Sequence, residues 1–475
     1  MISGYWIAGE RITGKDTFEV HNPYDGRLVA TVAYATDADV DRAVAAAAAV
    51  TREFAALPAH RRATALDHVS ARIGERADEL AELITAENGK PIFWAKAEIA
   101  RAAATFRWGA EEARRFSGEL QRLDTDPGGT GRMAVTRRVP RGPVLGISPF
   151  NFPLNLVAHK VAPALAAGVP IVLKPAPKTP LSALALGEIL AETDLPAGSW
   201  SVLTTTDDKA PELVADERLP IVSFTGSGPV GWSIRDSVPR KHVTLELGGN
   251  AAVIVDADWP DLRWAAERIA TFATYQAGQS CISVQRVYAH RDVYDELVRH
   301  VLDAVAEQGT GDPADPGTRV GPLIDETAAE RVEQWVGEAV AAGAEVLTGG
   351  VREGSTCAPT VLAGVPADAK VSSEEVFGPV LVVAPVDSID EGFERVNDSR
   401  YGLQAGVFTK DLQVAFRASA ELEVGGVIVG DVPSFRADQM PYGGLKESGT
   451  GREGVRAAME DFTEQRVTVL TGIEV

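Results

Sequence analysis

Cys281 and Glu246 are the side chains whose types and settings point to chemistry. Cys281 closes the run Gln276-Ala277-Gly278-Gln279-Ser280-Cys281, thirty-five positions after Glu246 in Leu245-Glu246-Leu247-Gly248-Gly249-Asn250, and a strand-like run, Ser283 to Ala289, follows it. A thiol after a loop of small residues is presented rather than buried. To work as a nucleophile it needs thiolate character, access and an acid/base group, and a carboxylate at a glycine-flanked strand end can supply the last. Taken alone, a cysteine is more often a packed core residue and a glutamate half of a structural salt bridge. The surrounding motifs decide against those readings.

A second pattern competes for Glu246. Gly226-Ser227-Gly228-Pro229-Val230-Gly231 follows a strand and opens a helix, which fits a dinucleotide fingerprint and places Glu246 where a ribose-binding acid would lie. Its glycine-flanked position just ahead of the cysteine segment fits an acid/base role better.

These residues need a framework. Thr36 to Asn88 reads as Ala-rich helices stopped by Asn88-Gly89-Lys90-Pro91, and a further helix runs from about Phe93 to Phe116. Two strand-like runs, Glu119 to Leu123 and Met133 to Val139, flank Pro127-Gly128-Gly129-Thr130-Gly131 and predict a projecting hairpin of the kind used in oligomer contacts. From Gly142 strands and helices alternate through Leu247, and again from Ala251 to about Gly430, which predicts parallel sheets covered on both faces. Pro441 to Gly449 reads as a glycine-rich loop over a cleft, and Arg466 to Leu470 as a strand with no obvious partner in its own domain.

Composition bounds the function. A chain of 475 residues exceeds one compact core, so two or three domains are expected. The net charge of −21 argues against nucleic acid or an anionic membrane as partner. No apolar stretch of about 18 residues occurs, so no membrane span is expected. Two cysteines 76 positions apart have no metal-ligand spacing, and with no leader-like start they point to the reducing cytoplasm.

The whole chain resembles the aldehyde dehydrogenase superfamily. The resemblance rests on motifs recurring in the family's order: Pro149-Phe150-Asn151-Phe152-Pro153, Lys174-Pro175-Ala176, Phe224-Thr225-Gly226-Ser227, the Glu246 and Cys281 segments, Glu375-Val376-Phe377-Gly378-Pro379, and Pro441-Tyr442-Gly443-Gly444. It implies an α/β fold with a Rossmann-like NAD(P)-binding domain (1–120 and 142–247), an α/β catalytic domain (248–430), a small β oligomerisation arm (121–141 and 455–475) and a cleft loop (431–454). A homodimer or homotetramer is implied with it.

In the non-acylating branch, the resemblance makes Cys281 the nucleophile that forms a thiohemiacetal and then a thioester. Asn151 and the Cys281 N–H become the oxyanion donors, and Glu246 the base for the hydrolytic water. Asn151 beside Pro153 also suits a plain helix N-cap. Lys174 resembles the ribose lysine, Ser227 suits the pyrophosphate at a helix start, and Glu375 with Phe377 resembles the nicotinamide end; Phe150 belongs to the same cofactor site. Pro177 stands where NAD-preferring members carry a ribose-binding glutamate. Its neighbour Lys178 would attract a 2′-phosphate, so NAD and NADP both stay open.

Arg101, His159 and Arg436 fall where the resemblance places the aldehyde tunnel. Arginines there can grip a carboxylate or phosphonate through paired hydrogen bonds. Each also has a bland reading: Arg101 paired with Glu98, Arg436 with Asp438, and His159 as a satisfied core residue. The closest resemblance is to members handling lactaldehyde, succinate semialdehyde and phosphonate-bearing aldehydes. A CoA-acylating dehydrogenase is the alternative, although such members usually lack the Glu246 equivalent. A cysteine hydrolase and a non-enzymatic structural member are the other rivals.

Overall fold

The computed structural model describes residues 2–472. Local signals place the helices. Thr36 starts Asp37–Ala56 with a reciprocal cap, its hydroxyl accepting from Asp39 N–H while Asp39 accepts from Thr36 N–H. Gly89, at φ 72°, ends Ala77–Asn88 in the left-handed conformation that glycine adopts without strain. The long helix Ile92–Arg115 follows at once.

Five strands form the parallel heart of an eight-stranded sheet: His242–Glu246, Ile221–Thr225, Val144–Ile147, Ile171–Lys174 and Trp200–Val202, in that spatial order. They are runs of Val, Ile and Leu buried on both faces, as parallel strands between helices must be. The antiparallel strands Tyr5–Ile7 and Glu10–Ile12 extend one edge, and Gly449–Thr450 the other. Strand order reverses between Val144–Ile147 and Ile221–Thr225, and the crevice at such a reversal lies at the carboxyl ends of the strands.

A second sheet of seven strands runs Glu345–Thr348, Thr360–Ala363, Val380–Val386, Arg286–His290, Ala252–Val255, Gln404–Phe408 and Gly426–Val429, parallel except for its first edge strand. The segment expected as a cleft loop holds two short strands instead. Gly449–Thr450 joins the first sheet, and Leu445–Lys446 pairs with Tyr401–Gly402. It is thus a strap tied to residues of both halves.

The hairpin is present as Leu120–Arg122 and Arg132–Pro140. The tail strand, Thr463–Thr471, finds its partner there, pairing antiparallel with Arg132–Pro140 over nine residues. Residues 473–475 of the expected arm lie outside the described residues. Among those described, no helix is long and apolar enough to cross a membrane.

Candidate active site

A cavity of about 590 Å³ opens at the strand-order reversal. Asn151 reaches it from beyond Val144–Ile147, Lys174 from the end of its own strand, Ser227 from beyond Ile221–Thr225, and Glu246 from the end of His242–Glu246. Cys281 enters from the second sheet's side, ahead of Arg286–His290. The three expected catalytic residues therefore share one cavity.

The cysteine loop is held in a costly backbone shape. Gln276 and Ala277 have φ of 56° and 53°, a left-handed conformation that costs roughly 1 kcal/mol or more for each non-glycine residue. Gly278 follows at φ 71°, and a β-carbon on it would lie 2.0 Å from the Gly378 carbonyl oxygen. The shape is fastened from outside. Gln276 Nε2 donates to Asn88 Oδ1 at 2.7 Å, and Asn88 Nδ2 donates to the Phe150 carbonyl at 2.9 Å. One side chain thus ties the thiol loop to the Asn151 loop.

Asn151 is not a helix cap. Its Nδ2 donates to the Gln279 carbonyl at 2.8 Å, two residues before Cys281. The helix Asn155–Ala167 is capped by Glu98, whose Oε1 accepts from the N–H groups of Leu154 at 2.9 Å and Asn155 at 3.0 Å. Lys90 pairs with Glu98 and donates to the Asn151 carbonyl at 3.0 Å. An amide nitrogen has two hydrogens, so one remains free in the cavity that Cys281 also lines.

Glu246 is buried and, among the described residues, makes no salt bridge. Both its carboxylate oxygens are buried without a hydrogen-bond partner. Burial, then the nearby Glu453, hold its carboxyl well above the usual range. The Cys281 sulfur lies 2.9 Å from the Tyr442 hydroxyl. Burial pushes the thiol up to about 12, opposed first by that hydrogen bond.

The residues expected to hold a dinucleotide, Lys174, Pro177, Ser227, Glu375, Phe377 and Phe150, all line the same cavity. They fit that group. Ser227 is the N-cap of Gly228–Ser237 and makes no capping bond, which leaves the helix N-terminus open to a phosphate. Glu375 accepts from Gly249 N–H at 3.1 Å, and burial raises its carboxyl to about 7. A β-carbon on Gly248 would meet the Glu375 carboxylate at 2.3 Å, so only glycine allows that approach. Lys174 pairs with Asp207 at 2.7 Å. Lys178, expected near a 2′-phosphate, is paired with Asp325 instead.

The model of the aldehyde dehydrogenase family matches residues 6–468. The chain belongs to the aldehyde dehydrogenase family. It is similar to a 3-sulfolactaldehyde dehydrogenase of Priestia aryabhattai, 44% identical over 98% of each chain. It is similar also to the crystal structure of aldehyde dehydrogenase 21 from Physcomitrella patens in complex with the reaction product succinate: TM-score 0.98, 44% identity, covering 99% of this chain and 98% of that one. An NADP-dependent glyceraldehyde-3-phosphate dehydrogenase from Bacillus halodurans, complexed with NADP, superposes with TM-score 0.95 at 33% identity over all of both chains. As a family member the protein is an oxidoreductase of aldehydes that uses NAD or NADP, as the sequence leads one to expect.

Arg101, His159 and Arg436 do not line this cavity, but they are brought together beside it. Arg101 Nη2 and His159 Nε2 both meet Asp438 Oδ1, at 2.8 and 3.1 Å. Arg436 Nη2 meets Glu453 Oε2 at 3.1 Å, and Lys160 Nζ meets Glu453 Oε1 at 3.5 Å. Arg101 thus does not pair with Glu98, nor Arg436 with Asp438. Burial, and then Arg436, lower the imidazole to about 4, so it is neutral at neutral pH. Its Nε2–H then serves Asp438, and its buried Nδ1, which has no partner, is left as an acceptor. That suits a hydroxyl better than an anion.

Sequence reasoning missed Asn88, Lys90, Glu98, Lys160 and Glu453. Asn88-Gly89-Lys90 carries a second meaning behind its helix-stop signal. A buried partner far along the chain leaves no local trace, so Glu453 had none to read.

Proposed function

We propose that the protein oxidises a small aldehyde carrying an anionic tail to the carboxylic acid through a thiohemiacetal and a thioester on Cys281. The observation that carries the anionic tail is the charge of the cluster beside the thiol. Arg101, Arg436 and Lys160 pair there with two carboxylates, Asp438 and Glu453, both held below the usual carboxylate range, while burial keeps His159 neutral. Three cationic side chains thus share two carboxylates, and among the described residues Arg436 Nε is buried without a partner. A carboxylate, sulfonate or phosphonate completes such a cluster. The names of the relatives agree: one acts on 3-sulfolactaldehyde, and another is complexed with succinate as reaction product.

In this reading the sulfur attacks the carbonyl, and the alkoxide accepts from the free Asn151 amide hydrogen and from Cys281 N–H. Lys174, Ser227, Glu375 and Phe377 would hold the cofactor, which when bound would supply the hydride acceptor. Glu246 then takes the proton of the attacking water, a task for which two unpartnered oxygens in a buried pocket are prepared. The presence of that base favours hydrolysis over transfer to CoA. The eight-stranded sheet, the seven-stranded sheet and the three-stranded arm support the proposed division into cofactor domain, catalytic domain and arm. Two free cysteines are in keeping with a cytoplasmic enzyme.

The test is an aldehyde panel run with both cofactors, reading reduced nicotinamide by absorbance. Anionic aldehydes should exceed propanal in kcat/KM. A preference for neutral aldehydes would overturn the reading.

A further inference from the structure

Among the described residues, the Tyr442 hydroxyl is the side-chain group that hydrogen-bonds the Cys281 sulfur. It comes from the strap that pairs with the first sheet and with Tyr401–Gly402, and its ring is buried. The Arg436 guanidinium covers that ring with its centre 3.8 Å from the ring centroid, and is itself fixed by Glu453 at 3.1 Å. A cation on the face of a phenol draws electron density from the ring and makes the O–H a stronger donor.

We propose that Tyr442 donates a hydrogen bond to the Cys281 thiolate, and that Arg436 stacked on its ring strengthens the donor, so that this tyrosine sets how much of the nucleophile is ionised. The proposal rests on Cys281 being the nucleophile. The other ionisable groups near the sulfur are few. Glu375 and Glu246 disfavour the thiolate, Arg436 favours it, and Tyr275 lies close by. Both carboxyls are themselves pushed upward by burial, so their opposition is weak in the range where they carry a proton.

A hydrogen bond to a thiolate acts in two opposite ways. It raises the ionised fraction, and it lowers the intrinsic reactivity of each thiolate, because nucleophilicity falls with thiol pKa at a Brønsted slope of about 0.4–0.5. Its loss should therefore make two pH–rate curves cross, a result that mere loosening of the site does not give. The experiment follows the reaction of the intact enzyme with a neutral aromatic disulfide, dithiodipyridine, as a function of pH, with peptide mapping to separate Cys281 from the buried Cys357. Tyr442→Phe keeps the ring and the stacking surface.

In the variant the midpoint should rise by about one pH unit. The rate below the midpoint should then fall about threefold, and the plateau above it should rise about threefold. Unchanged NADH binding by fluorescence would show that the variant is folded. Superimposable curves, or a parallel fall along both limbs, would overturn the role of Tyr442. Failure of the underlying reading looks different: Cys281→Ala would then retain dehydrogenase activity whatever Tyr442 does.

Discussion

Lys90 and Glu98 form an ion pair with almost no solvent contact, and the two partners hold the backbone of the Asn151 loop between them. Lys90 carries the Asn151 carbonyl, and Glu98 carries the N–H groups of Leu154 and Asn155. Removing one partner of a buried pair leaves the other uncompensated, at roughly 3–5 kcal/mol. Lys90→Met should lower unfolding stability by about that amount in denaturant titration. Turnover in the surviving folded fraction should drop as well, because Asn151, the proposed oxyanion donor, loses its support. Equal stability and activity would show that the pair does not hold the loop.

Cys281→Ala should abolish turnover while cofactor binding stays nearly intact, since it removes the proposed nucleophile and little else. Glu246→Gln should release a burst of reduced cofactor and then stall at the thioester. Its direction with pH follows from burial. The carboxyl is held above its usual range, so the hydrolytic half-reaction should climb as pH rises through that raised value. In Glu246→Gln the climb should vanish; a lost burst with weak NAD binding would instead revive Glu246 as a ribose ligand.

Arg101 is the accessible member of the charge cluster and so the safer one to change. Arg101→Met should lower kcat/KM for succinate semialdehyde by about 2 kcal/mol, roughly thirtyfold, through loss of a charged contact in a desolvated site. Propanal makes no such contact, so its kcat/KM should hold. If both substrates suffer alike, the arginine is structural.

His159 makes stability depend on pH. Its folded value, about 4, lies below the ordinary 6.5, so between the two the unfolded chain binds more protons. The stabilisation is fully present above pH 6.5 and is lost as pH falls toward 4, up to about 3 kcal/mol in all. Asp438, also depressed, acts only below its ordinary 3.8. Glu87 and Glu375, raised to about 7, act oppositely but equally in both proteins. His159→Gln keeps a donor for Asp438 and should flatten the difference in stability between pH 6.5 and 4 by chemical denaturation. An unchanged slope would place a charged imidazole in the folded state.

Among the described residues the three-stranded arm leaves its two outer edges unpaired, and Leu120, Val467, Val469 and Leu470 are exposed on it. Such edges invite another chain. Sedimentation should find a homodimer or a dimer of dimers; a stable, active monomer at assay concentration would refute it.

The sequence by itself determined most of the elements and pointed to the residues proposed to react. Helix ends followed from Thr36 and Gly89, whose signals are local, and the parallel strands from apolar runs bounded by turns. Cys281, Glu246 and Asn151 were legible because glycine-rich motifs leave their mark in consecutive residues. Tertiary structure alone decided which charges meet. Arg101 has Glu98 three positions away, yet Glu98 turns inward to Lys90 and Arg101 pairs with Asp438, 337 positions on. Arg436 likewise passes over Asp438 for Glu453. An ion pair is chosen by burial and by the positions of backbone donors, quantities fixed only when the two sheets and the strap close around the thiol.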